Sequence, residues 1–75
     1  MAHWKTLFHG MIGIRLVKVE KGDGIILRLS STTPDMEEEI TVQAATPGML
    51  KSMLIQSKLF TEQDADEILI KILNS

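Results

Sequence analysis

The sequence contains no cysteine among its 75 residues. That excludes disulfides and thiolate metal sites and gives no sign of an oxidising compartment. It has no tyrosine, one tryptophan and two phenylalanines, so any platform for stacking nucleic-acid bases would have to be built from very few rings. Two histidines, His3 and His9, stand six positions apart. Neighbours on a helix face are three or four apart, so this spacing does not bring two imidazoles onto one metal ion. No apolar run approaches the ~18 residues of a membrane span. The opening MAHWKTLFHG lacks the charged-then-apolar layout of a secretory signal. The expectation is a cytoplasmic protein with no membrane partner.

Catalytic patterns are missing too. The serines and threonines stand in no GxSxG or SxxK frame, and the glycines form neither a phosphate loop nor GxGxxG. Asp64-Ala65-Asp66-Glu67 superficially resembles a calcium loop, but the glycine bend and the distant bidentate glutamate are absent. The same acids are explained by the first turn of a helix. The sequence therefore predicts a chain without enzymatic activity, cofactor or resident metal.

What is present is an ordinary globular composition, 44% hydrophobic and 24% charged, of a length that suits one small domain over residues 1–75. Residues 46–73 read as a helical hairpin. Thr46-Pro47 offers a capping hydroxyl followed by proline at the first helical position. Thr61 opens a second helix that carries Glu62, Asp64 and Asp66 near its positive end. Phe60, just ahead of that cap, is placed to staple onto Ala65. The apolar anchors are Met49, Leu50, Met53, Leu54, Ile68, Leu69, Ile72 and Leu73. So few anchors cannot order 28 residues unaided, and the hairpin needs the N-terminal half to cover it.

That half is mostly β in character. IGIRLVKVE and GIILRLS flank Lys21-Gly22-Asp23-Gly24, a hairpin turn rich in residues that tolerate positive φ. Ile12, Ile14 and Leu16 face one way, and Arg15, Val17 and Val19 the other. On the second strand Ile25, Leu27 and Leu29 oppose Ile26, Arg28 and Ser30. Apolar residues on both faces imply a sheet covered fully on one side and partly on the other, or a bulge near Leu16-Val17. Residues 30–39 form a polar linker. Glu39 to Ala44 then alternates as a third strand with Ile40, Val42 and Ala44 inward, the rival being a helix from Pro34 to Ala45. In residues 3–12, Trp4, Leu7, Phe8, Met11 and Ile12 follow helical spacing, while Gly10 and Gly13 interrupt it. This segment reads as a short helix or turn leading into the first strand.

The predicted fold is thus a small two-layer α+β domain, an antiparallel three-stranded sheet (a β-hairpin plus one strand) packed by a C-terminal helical hairpin. Residues 1–11 form an N-terminal segment, 12–44 the sheet and 46–73 the helices. Open strand edges and a half-covered sheet favour a homodimer.

Charge is segregated along the chain. Residues 1–30 carry Lys5, Arg15, Lys18, Lys21 and Arg28 against Glu20 and Asp23, a net +3, whereas residues 31–75 are net −5. With no chemical constellation to explain, the sequence points to a protein–protein interaction or regulatory module whose partner is another protein. Its contact residues are Trp4, Phe8, Arg15, Lys18, Lys21 and Arg28. The alternative is nucleic-acid binding through the basic β-hairpin. Against it stand the pI of about 5.5, the absence of aromatics in the hairpin, and an acidic opening to the second helix that would repel phosphate.

Overall fold

The computed structural model describes residues 3–24 and 26–74. The elements run β1 (Lys5–Ile12), β2 (Arg15–Lys21), β3 (Ile26–Thr32), β4 (Glu37–Gln43), α1 (Pro47–Gln56) and α2 (Glu62–Leu73). The four strands form one antiparallel meander in the order β1-β2-β3-β4, and the helical pair packs on one side of it. The α+β class and the two layers agree with the sequence reading; the strand number does not. Residues 5–12, expected as a short helix or turn, form a fourth strand.

The reason lies at Gly13 and in the pairing. Gly13 adopts φ +61°, and together with Ile14 it closes a two-residue hairpin in which Ile12 pairs Arg15. Glycine at the first central position supplies the positive φ that such a turn requires. Once that turn forms, β1 gains a full ladder along β2, which outweighs the helical spacing of its apolar residues. The spacing itself has another cause. A bulge between Thr6 and Phe8 lets both Leu7 and Phe8 pack against the core, so the inward row is not strictly alternate. The irregularity expected at Leu16-Val17 therefore lies on β1 instead. The Phe8 ring lies across Gly10, where an added Cβ would meet it at 3.1 Å.

Strands β2 and β3 alternate cleanly. Val17, Val19, Leu27 and Leu29 are buried, and Ile40 and Val42 pair opposite Leu29 and Leu27 on the same face. Ile25, placed with Leu27 and Leu29 from the sequence, lies outside the described residues. The rival helix over residues 34–45 does not form. Pro34-Asp35 instead makes a tight turn in which Thr33 and Met36 exchange backbone hydrogen bonds of 2.8 and 3.3 Å, with proline at its favoured first central position.

Both helix starts are capped as the sequence suggests. The Thr46 hydroxyl accepts from the Met49 amide at 3.2 Å and the Thr61 hydroxyl from the Asp64 amide at 3.1 Å. Between the helices, Lys58 adopts φ +63°, a left-handed stop one residue beyond the Ser57 cap, at a position that glycine usually fills. Leu50 and Leu54 from α1, Ala65 and Ile68 from α2, and Phe60 between them close the core over the sheet. Of the other expected anchors, Met49 (44% exposed) and Leu73 (67% exposed) project outward. Lys51 ties the helices together, its Nζ lying 2.9 Å from Asp66 Oδ1 and 3.5 Å from Glu62 Oε1. The hydrogen bond to Asp66, followed by the two carboxylate charges, outweighs partial desolvation and raises the Lys51 pKa above its ordinary 10.5.

Candidate functional site

Alternation sorts the six residues expected at a contact surface onto opposite faces. Arg15 and Lys21 share the helix-covered side with Val17 and Val19, and Phe8 pairs opposite Val19. The Arg15 guanidinium donates from Nη1 to the Leu59 carbonyl and lies over the Phe60 ring, 5.7 Å from its centroid. It therefore fastens the interhelical loop to the start of β2. Phe8 packs against the core. Lys21 lines a cleft of about 430 Å³ between the sheet and the open end of the helix pair, whose apolar walls include Leu27, Leu50, Leu69 and Ile72. These three residues serve the interior or its rim.

Trp4, Lys18 and Arg28 meet on the other face, which neither helix covers. Arg28 is the hub. Its Nε and Nη2 donate to Glu20 Oε1 at 3.1 and 2.9 Å, and its guanidinium stacks on the Trp4 ring at 4.2 Å from the centroid. Lys18 Nζ stands 3.8 Å from the second Glu20 oxygen. The Trp4 ring in turn lies against Gly22, where an added Cβ would come within 2.9 Å of it; here the lack of a side chain is what admits the indole. Around this cluster the surface is apolar in part: Met11 is 59% exposed and Leu16 40%.

Strand pairing gives the face its plan. Read from β1 to β4, one row is Met11, Leu16, Thr32, Glu37; the next is His9, Lys18, Ser30, Glu39; the third is Thr6, Glu20, Arg28, Thr41. In the sequence Arg15, Lys18, Lys21 and Arg28 look like one basic patch, whereas in the fold Lys18 and Arg28 share the uncovered face with Glu20, Glu39, Met11 and Leu16. Residue parity within the strands was the signal that would have separated them. Among the described residues, no cluster of three or more histidine or acidic side chains is placed to hold a metal ion. No buried side-chain nitrogen or oxygen among them lacks a hydrogen-bond partner. No helix among them is long and apolar enough to cross a membrane.

By its architecture the chain is a small α+β domain, a four-stranded antiparallel sheet with a helical pair on one face. Compared with protein-family models, with curated proteins and with solved structures, it matches none.

Proposed function

We propose that this chain is a small non-catalytic protein–protein interaction module that works as a homodimer and makes contact through the uncovered face of its sheet. The observation that carries the reading is the make-up of that face. A tryptophan held in place by an arginine, exposed Met11 and Leu16, and a row of charges share this face. Interface cores favour tryptophan, methionine and arginine. A sheet with one solvated face is also common in monomers, so the exposed apolar groups and the arginine-clamped ring carry the weight, not the openness alone.

The geometry lends less support to nucleic-acid binding. Two of the four hairpin cations, Arg15 and Lys21, belong to the opposite side, and the remaining pair share Glu20. A phosphate-tracking surface needs uncompensated positive charge. Gel filtration coupled to light scattering tests the proposal. A mass rising from 8.4 kDa toward twice that value with concentration supports it, and a strict monomer at high micromolar concentration removes it.

A further inference from the structure

Resting on the reading above, we infer that the uncovered sheet face packs against the same face of a second copy about a two-fold axis parallel to the strands, so that β1 lies over β4 and β2 over β3. The inference comes from the signs of the charges. The two rows that carry charge at more than one position reverse sign across the midline between β2 and β3. One has Lys18 on the left and Glu39 on the right; the other has Glu20 on the left and Arg28 on the right.

A two-fold along the strands exchanges left for right while keeping each row in register. It therefore sets Glu20 over Arg28 of the second copy, twice, and His9 over Glu39, with the Lys18 ammonium reaching the same glutamate. It also places Met11 and Leu16 over the β4 and β3 ends of their row, where Glu37 and Thr32 stand. Packed sheets keep their strand directions within ~30° of each other, so this correspondence holds best near the centre, where Glu20 and Arg28 are.

The competing two-fold, perpendicular to the strands, lays β4 upon β4. It gathers Glu37 and Glu39 of both copies along one edge. In the register that sets Arg28 opposite Ser30, Glu20 faces Lys18; in the register centred on the middle row, Lys18 faces Lys18 and Glu39 faces Glu39. Like charges across an interface oppose that arrangement. The face itself is small. Four strands ~4.8 Å apart and about 7 residues long at ~3.3 Å each give roughly 400 Å² per copy. The total of roughly 800 Å² falls below the ~1,200–2,000 Å² of stable specific interfaces and implies a weak, concentration-dependent dimer.

Charge exchange between two variants tests the axis. In E20R both Glu20–Arg28 contacts become cation on cation, and in R28E both become anion on anion. Each variant alone should dimerise at least about tenfold more weakly than the parent chain. In an equimolar mixture each E20R protomer faces an R28E protomer with opposite charges at both contacts, so the mixture should regain the mass of the parent dimer. A parent dimer whose two variants fail to complement each other would overturn the axis and leave the interaction module standing. A parent chain that stays monomeric would overturn both. Should either variant lose its circular-dichroism signature, K18E and E39K, which alter exposed side chains, repeat the exchange: recovery of the dimer in their mixture supports the axis, and failure to recover it overturns the axis.

Discussion

Replacing Arg28 by alanine removes two hydrogen bonds to Glu20 and the stack on Trp4 in one step, and the structure fixes how much that should cost. Both partners are largely covered, with side-chain exposures of 30% for Arg28 and 15% for Glu20. A cation over an indole at a half-covered site contributes about 1 kcal/mol. A forked, charge-assisted pair this close to solvent adds about 1 kcal/mol more. The expected loss is about 2 kcal/mol, which in a domain of this size lowers the melting temperature by roughly 8–16 °C. Trp4 is the only tryptophan, so its emission follows the same event and should shift to the red as the ring loses its cover. The conservative Arg28→Lys keeps the charge without the planar fork and should forfeit about half as much. Thermal unfolding followed by Trp4 fluorescence, at concentrations low enough to keep the chain monomeric, measures all three. A loss under about 0.5 kcal/mol with unshifted emission would refute the hub role of Arg28.

Leu54 is fully buried while its neighbour Ile55 is 38% exposed. Leu54→Ala should cost about 3 kcal/mol and Ile55→Ala less than about 1 in chemical denaturation; equal losses would mean that α1 is rotated from the described position. Lys58→Gly relieves a left-handed residue and should raise stability by up to about 1 kcal/mol, read as a higher denaturation midpoint at unchanged slope. The raised pKa of Lys51 makes its contribution complete below the unfolded value of 10.5 and lost as pH climbs through the folded value. Alkaline titration of stability should therefore show a decline that Lys51→Met lacks.

Local chemistry was legible wherever one segment decided its own structure. Thr46-Pro47 and Thr61 announced both helices because a cap is a short-range event. Val17, Val19, Leu27 and Leu29 announced two strands because period-two patterning survives in them. What stayed hidden depended on partners far along the chain. Strand β1 looked helical because its bulge disguises the alternation, and Gly13 read as an interruption when it was the turn. The contact surface suffered in the same way. Arg15 and Arg28 look alike in a list of basic residues, but one is committed to Leu59 and Phe60, 44 or more positions away, and the other to Trp4 and Glu20 on the open side. The helical pair packs on the sheet, where Leu50, Leu54, Ala65 and Ile68 close one core with the strands.

Whether the uncovered sheet face is the contact surface is decided most sharply by acrylamide quenching of Trp4 from dilute to high micromolar protein, recorded alongside the mass by light scattering. If copies meet through that face, the indole becomes harder to quench in step with the doubling of mass. Doubling without any change in quenching would place the contact elsewhere on the molecule.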